Sequence, residues 1–419
     1  MKKSLLFAVI ALFSASIYAG GYRVSTQGQR ALAMGHSGVA VVNSAELAFF
    51  NPAGLVYLEN KLNVSAGVTG VISNVRWQNT QTGNFAETEN NLSTPFYVYA
   101  SYKVTDWFTV GLSAYTPYGS SVEYPTDWAG SHLINDIDLQ AIYIQPLVSL
   151  KVSEYFSVGG GPIFVTGGVN FNRNINRTLT NEEGNRGNVE IDASNVTNMG
   201  WSASFMFNPT EQLRIGMNYR SEIILEAEDG DATFSNIPNS PLAPVENGTV
   251  AFDASLPLPA EFTVGLSYEF CDKWLFAFDY NRTMWGVYNS LDINFAPEGI
   301  PDSVNPRNYK NSSTYRFGIQ YEALEDLTLR LGYYFDESPV RSGYFAPETP
   351  RNDSHGYTGG FSYQITPSIA VDASFVYLRF EEVQESYDYY QENGQKCFFL
   401  EELIRAMLFL PGLGVTVKL

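Results

Sequence analysis

The sequence predicts an all-β transmembrane antiparallel β-barrel of roughly fourteen strands with an N-terminal lumenal hatch. Three observations predict it. Tight turns at Lys103–Trp107, Lys151–Tyr155, Asn208–Glu211, Phe270–Lys273, Glu322–Asp326 and Gln364–Pro367 alternate with long polar stretches such as Ser73–Thr94, Thr116–Asp136, Ala227–Gly248, Phe295–Tyr309 and Asp336–Arg351. The segments between them alternate apolar and polar residues with period two. A segment at the start of the mature chain lacks that alternation and is rich in small residues. Short turns on one side and long loops on the other are the pattern of outer-membrane barrels, so the expected location is the bacterial outer membrane.

Residues 1–19 read as a secretory signal peptide. Lys2 and Lys3 supply the positive start, Leu5 to Phe13 the apolar run, and Ser14 to Ala19 small residues for cleavage. The run is too short for a spanning helix, and no comparable run follows it. Residues 20–60 come next, with Ala31, Ala33, Gly35, Ser37, Gly38, Ala40, Ser44 and Ala45, and end in Phe49-Phe50-Asn51-Pro52-Ala53-Gly54-Leu55. A barrel of this width leaks solutes unless its bore is filled. A compact N-terminal segment folded into the lumen fills it.

Residues 61–419 form the predicted barrel. Strands are expected near 61–72, 95–104, 107–116, 137–151, 155–175, 189–208, 211–227, 249–270, 273–294, 310–322, 326–336, 353–364, 367–382 and 404–419. Leu213, Ile215, Met217 and Tyr219 alternate with Arg214, Gly216, Asn218 and Arg220, and Leu327, Leu329, Leu331, Tyr333 and Phe335 alternate with Thr328, Arg330, Gly332, Tyr334 and Asp336. The apolar set faces lipid, because an Arg there costs about 2–4 kcal/mol at mid-membrane. Aromatic residues make up 15% of the chain, enough to supply both interfacial girdles. Before the last strand, Cys397 to Met407 reads more like an amphipathic helix than a strand.

The composition excludes several functions. A formal charge of −19 argues against nucleic acid as a partner. Cys271 falls in a short turn and Cys397 near the last long loop. The apolar band is about 25 Å tall and disulfide Cα atoms lie within about 7 Å, so no bridge is expected between them. Of the three histidines, His36 falls in the hatch and His132 and His355 in long loops. Strand parity brings no serine and histidine together on the outer face, as a barrel hydrolase requires. No ligand cluster for zinc is visible, so neither an enzyme nor a metal or other cofactor is expected.

Several motifs together resemble one family. Asn51-Pro52-Ala53-Gly54-Leu55 follows a glycine-rich start, and Pro117-Tyr118-Gly119 precedes Trp128-Ala129-Gly130. Gly216 to Glu222, Leu256-Pro257-Leu258-Pro259 before Gly265 to Tyr268, and Asp336 to Val340 before Gly360 to Tyr363 extend the likeness along most of the chain. This set resembles the FadL family of long-chain fatty acid and hydrophobic-compound transporters. The helix-like stretch after Gln395 departs from it. The resemblance implies a fourteen-stranded barrel plugged by a hatch, capture of a hydrophobic small molecule at the outer loops, passage into a lumenal pocket, and hatch-linked lateral release into outer-membrane lipid near a kink in the third strand. The matching positions are Asn51, Pro52, Ala53 and Gly54 for gating, and Pro117 and Gly119 for the lateral opening. A turn that merely ends the plug and an ordinary strand terminator are the competing readings of those motifs. Fatty acids and aromatic hydrocarbons both suit such a pocket. A general diffusion porin is the rival, though it has no reason to carry a plug. A monomer is expected.

Two further expectations come from parity. Gly111, Gly216, Gly265, Gly318, Gly332 and Gly360 point inward near the short turns, where they form a collar seating the hatch or else relieve curvature. Arg214, Arg316 and Arg330 also point inward, as partners for a fatty carboxylate or for internal acids such as Asp279, Asp336, Glu269 and Asp372.

Overall fold

The computed structural model describes residues 21–419, apart from 72–74, 79–82, 242, 244, 298, 350–351, 382, 390, 393–394, 397–401 and 405–406. Residues 1–20, which hold the expected signal peptide, and Cys397 lie outside the described residues. Fourteen antiparallel strands close into a barrel. They are β1 (Leu62–Thr69), β2 (Phe96–Thr105), β3 (Phe108–Glu123), β4 (Asp136–Lys151), β5 (Phe156–Asn174), β6 (Asn188–Phe207), β7 (Leu213–Arg220 and Ile223–Ser235) and β8 (Gly248–Leu258 and Glu261–Cys271). The circuit continues with β9 (Trp274–Thr283 and Ser290–Phe295), β10 (Ser303–Pro306 and Ser312–Leu324), β11 (Leu327–Asp336), β12 (Ser354–Thr366), β13 (Ile369–Phe380) and β14 (Met407–Lys418). Closure is made by β14 against β1, where Val415 pairs with Ala66.

Burial follows the predicted parity. Val98, Leu112, Phe164, Leu331 and Leu413 face outward and are exposed, while Ser101, Ser113, Ser149, Thr263, Thr314 and Thr358 point inward and are buried. At these positions the wall is matched to its surroundings, apolar toward lipid and polar toward the lumen.

Three features depart from the sequence reading. First, β7 to β10 are each broken, and the breaks align. Arg220, Glu261, Thr283 and Ser312 form one continuous row across the four strands. Just beyond that row lie Ser221–Glu222, Pro259–Ala260, Met284–Asn289 and Arg307–Asn311. Pro259 has no N–H to give a ladder, and Trp285–Val287 winds a short 3-10 turn between the halves of β9. Second, several stretches expected as loops are strand. β3 runs on to Glu123, β7 to Ser235, and His355 sits in β12 rather than in a loop. Third, the helix expected over Cys397–Met407 is not what the described residues form. Glu402–Ile404 pairs with Val383–Glu385, and Met407 already belongs to β14. An amphipathic run of that length satisfies either period, and pairing partners decided it.

Candidate functional site

The segment from Gly21 to Leu58 lies within the barrel and is buried almost throughout. It contains two short helices, α1 (Gln29–Leu32) and α2 (Leu47–Phe50), and a 3-10 turn over Pro52–Tyr57. So little regular structure leaves many backbone groups to be satisfied elsewhere, and the inward polar residues of the wall satisfy them. Asp279 of β9 accepts from Gly38 N (2.8 Å) and Val39 N (3.1 Å). Thr358 Oγ1 accepts from Gly35 N (2.7 Å) and donates to Ala33 O (3.1 Å). Ser267 Oγ donates to Ala40 O (2.7 Å).

Two buried arginines of the segment pair with wall carboxylates. Arg23 meets Asp336 (3.2 Å) and Glu261 (3.5 Å), and also reaches Asn281 and Thr314. Arg30 Nε donates to Asp372 (2.9 Å). Glu46 accepts from Arg30 N and Ala31 N, each at 3.1 Å. Burial, reinforced by the Asp372 charge, pushes the Glu46 carboxyl up to about 7 against the pull of those two N–H groups.

Asn51 organises the end of the segment. Its Nδ2 donates to Val39 O (2.8 Å) and to Phe205 O of β6 (3.0 Å), and its Oδ1 accepts from Ala53 N (3.2 Å). Pro52 opens the 3-10 turn, where its missing N–H costs nothing. Ala53 O accepts from Ser149 Oγ (3.0 Å) and Ser157 Oγ (2.7 Å), and Ala53 N donates to Ser204 Oγ (3.0 Å). A side chain on Gly54 would meet Met206 Cε at 2.8 Å. Asn51 to Gly54 are thus bonded or packed to β4, β5 and β6 at once.

The inward glycines lie close beneath this segment. A Cβ on Gly318 would sit 2.5 Å from Met34 O, one on Gly332 would overlap the Gly35 backbone, and one on Gly360 would meet Ala33 Cβ at 2.7 Å. Gly216 faces Val39 O and Asn51 Nδ2, and Gly111 faces Leu55 at 3.3 Å. Gly265 instead faces the Asp279 carboxylate that holds Gly38 and Val39. Gly159, unassigned from sequence, comes closest to Pro52 and Ala53 on β5.

Pro117 and Gly119 lie in β3 where its register with β4 slips between Tyr115 and Tyr118. The freed backbone is taken up from inside: Val24 N donates to Pro117 O (2.7 Å), Gly119 N donates to Tyr22 O (2.9 Å), and Gln27 Nε2 donates to Thr116 O (2.9 Å).

Above Tyr22 the lumen changes character. An apolar cavity of about 80 Å³ is lined by Leu139, Phe171, Ile191, Leu225, Phe252, Leu256 and Ile293, with Tyr22 and Tyr288 on its side toward the segment. Tyr22 packs edge-on against Trp285 (4.9 Å) and Tyr288 (5.5 Å) and donates to Pro257 O. The cavity's polar margin is Ser120, Glu348 and Thr349. Glu348 is buried in an ion pair with Arg307, whose other branch donates to Tyr387 OH (2.9 Å). Glu348 and Thr349, from the long β11–β12 connection, are buried at the cavity's margin.

The three inward arginines are not brought together, and none lines this cavity. Arg214 is bonded to Glu269, and Arg330 donates to Gln320 (2.9 Å) and Ser362 (2.6 Å); both open on a polar vestibule of about 710 Å³ at the short-turn end. Arg316 borders a small inner chamber with Arg23, Arg220, Glu261 and His36, next to Pro117. Among the described residues its guanidinium has no hydrogen-bond or ion-pair partner, although it is 5% exposed. Sequence reasoning missed Arg23, Arg30, Glu46 and Arg220. Arg220 carried a signal, since it shares inward parity with Gly216 and Asn218. In the structure it lies over the Phe49 ring (3.9 Å) and donates to Phe49 O. The other three lie where no alternation tells inside from outside.

A closed wall with a lipid-facing exterior, a filled lower bore and an apolar cavity above define an outer-membrane barrel that handles hydrophobic compounds. The chain belongs to the family of outer membrane transport proteins that includes OMPP1, FadL and TodX, whose model matches residues 10–402. It is 24% identical to outer membrane protein P1 of Haemophilus influenzae over 91% of this chain and 92% of that protein. It is 21% identical to a long-chain fatty acid transport protein of Escherichia coli, over 97% and 96%. Its fold is that of a Pseudomonas aeruginosa FadL homologue (TM-score 0.81, 17% identity, 95% of this chain and 100% of that one) and of the Pseudomonas putida toluene transporter TodX (TM-score 0.73, 17% identity, 96% and 99%). The protein is therefore an outer-membrane transporter of hydrophobic compounds.

Proposed function

We propose that the transported compounds are long-chain fatty acids, captured at the long loops, held in the apolar cavity and released when residues 20–60 act as a moving hatch. The observation that carries this reading is the apolar cavity lying directly above a segment that fills the bore; at about 80 Å³ it admits part of an alkyl chain, and movement of the segment has to widen it for the rest. A cavity walled by aliphatic and aromatic side chains binds an alkyl chain without directional bonds, and a few polar groups at its margin set orientation. The inward glycines let the segment approach the wall and serve as its seat. Asn51 to Gly54 are its hinge against β4 to β6. The slipped register at Pro117 and Gly119 is the release point, since Tyr22 to Val24 must leave before that stretch of β3 is free. The protein works as a monomer surrounded by outer-membrane lipid, with no cofactor and no catalytic step.

Of the inward arginines, Arg316 is the candidate partner for a fatty carboxylate that moves below the cavity once the segment shifts, because Arg214 and Arg330 already have bonds, whereas Arg316 borders the inner chamber and faces Asp279 across the ladder. A hydrogen bond to a charged group is worth about 1.5–3 kcal/mol. Arg316→Ala should therefore weaken palmitate binding about tenfold or more and leave toluene or dodecane binding unchanged. Equal palmitate binding by the variant and the parent removes Arg316 from the reading. The reading of aromatic hydrocarbons as cargo rests on the same cavity. Binding of toluene with no measurable binding of palmitate would decide for it.

A further inference from the structure

The β6–β7 ladder is interrupted over its middle. The strands pair from Ser202–Arg220 toward the short turns and again from Asp192–Asp231 upward. One backbone bond, Ser221 N to Trp201 O (2.9 Å), extends the lower ladder by a residue. Between these points no backbone pairing joins residues 193–200 to residues 222–230. At 3.3–3.4 Å per residue this leaves roughly 25 Å of unzipped wall.

Three observations mark the gap as built. Burial alternates along β6 up to Ala193 and then fails, with Ser194, Asn195, Thr197, Asn198 and Met199 all exposed, as befits a strand without a neighbour on one side. Asn198 Nδ2 donates to Ile224 O (2.6 Å), so a side chain stands in for a ladder bond. Ile223 is 2% exposed and lies behind Gly200, where a Cβ would meet its Cγ1 at 2.6 Å. The gap is therefore shut by one apolar side chain and one amide, both of which turn by rotation about single bonds.

The gap leads directly to the apolar cavity. Ala193 and Val196 on one lip and Leu225 and Ala227 on the other line that cavity. Outside, the lower lip carries Trp201 (52% exposed) packed on Tyr219 (5.2 Å), with Met199 and Ile224 above them, followed by the exposed Asn198 and Glu226. Exposed aromatics below and polar residues above place the gap at the outer edge of the lipid-facing band. The β3 slip differs on both counts: it spans two residues, and its inner side is bonded to Tyr22, Val24 and Gln27.

We infer that the β6–β7 gap is a side port, gated by Ile223 and Asn198, through which single acyl chains or similar apolar molecules pass between the outer leaflet and the apolar cavity. The port rests on the proposed role of that cavity as the ligand site. Cargo already dissolved in the leaflet then reaches the cavity without crossing the long-loop mouth, and no charged group has to leave water at the cavity's own level.

A membrane-anchored probe tests it. The full-length protein is placed in vesicles containing a phospholipid with a photoreactive diazirine at the end of one acyl chain, and labelled residues are mapped after illumination. The headgroup bars this lipid from the mouth, so label on Val196 or Leu225 must arrive through the wall. Such label is expected, rising several-fold in Ile223→Ala and falling several-fold when a short bifunctional thiol reagent joins the double variant Asn198→Cys, Ile224→Cys. Label confined to outward residues such as Met199, Trp201 and Ile224 in both parent and Ile223→Ala overturns the port. A free photoreactive alkane supplies the control. If it labels the cavity while the anchored lipid does not, the port alone fails. If neither labels the cavity, the cavity reading fails and the port falls with it.

Discussion

Around the N-terminal segment the wall presents carboxylates, guanidinia and hydroxyls; around the cavity it presents alkyl and aromatic groups, with one buried ion pair at the margin. The two zones are separated by little more than the Tyr22, Tyr288 and Trp285 rings. Arg23, Arg30 and Glu46 give the segment one register, because buried charges tolerate few alternative partners. The cavity, whose contacts are non-directional, accepts any molecule of suitable width. The contrast teaches that position in the lower bore is set by bonds that break as a group, whereas selectivity above is set by shape. A plug built this way is firm until its ion pairs separate.

Four substitutions or conditions would break or sharpen that contrast. The largest effect is expected at Arg30→Ala, which leaves Asp372 buried without its cation; removing one member of such a pair costs about 3–5 kcal/mol. Hydrogen exchange at Leu32 and Ala33, whose amides close α1 onto Gly28 and Gln29, should accelerate accordingly. Unchanged protection would mean the pair does not hold the segment. Next is pH. Glu46 titrates at about 7 in the seated segment, above its ordinary value near 4.5. Its contribution to seating is full below the ordinary value, is lost as pH rises through the seated one, and amounts to about 3 kcal/mol. Exchange at the same amides should quicken from pH 5 to pH 8 more than intrinsic chemistry explains, and Glu46→Gln should flatten that excess. Asn51→Ala strands Val39 O and Phe205 O, with an expected cost of about 1–3 kcal/mol, read as faster exchange at Ala53 and Gly54. Smallest is the upper zone. Leu225→Trp fills the cavity and should weaken alkane binding about tenfold, or about 1.4 kcal/mol, while leaving exchange in α1 unmoved. Loss of α1 protection in that variant would show the zones to be coupled rather than separate.

Most of the barrel was legible because parity has only two answers per residue. The wall strands β4, β5 and β6 lie within two residues of their expected bounds, and Arg214 pairs with Glu269, one of the acids anticipated for the inward arginines. The breaks in β7 to β10 were less legible. Pro259 carried a signal for one of them that the expected strand over 249–270 ran straight through, and the others follow from neighbours and from the turn at Trp285. The stretch from Glu402 into β14 was misread because a short run such as Glu402-Leu403-Ile404-Arg405 fits two periods. The partners Arg23, Arg30 and Glu46 were invisible for a different reason: their bonds join residues hundreds of positions apart, in a segment with no period. The β6–β7 gap left one faint sign, Asn195-Val196-Thr197-Asn198, where polar residues flank a single apolar one inside a strand.

The central claim is that the bore is stopped by the chain's own N-terminal segment and that cargo occupies the apolar space above it. Liposome swelling in an isotonic small sugar tests it most directly. The account predicts no swelling above empty liposomes for the parent protein and rapid swelling for a Arg23→Ala, Arg30→Ala double variant. Rapid sugar-driven swelling by the parent protein would contradict it.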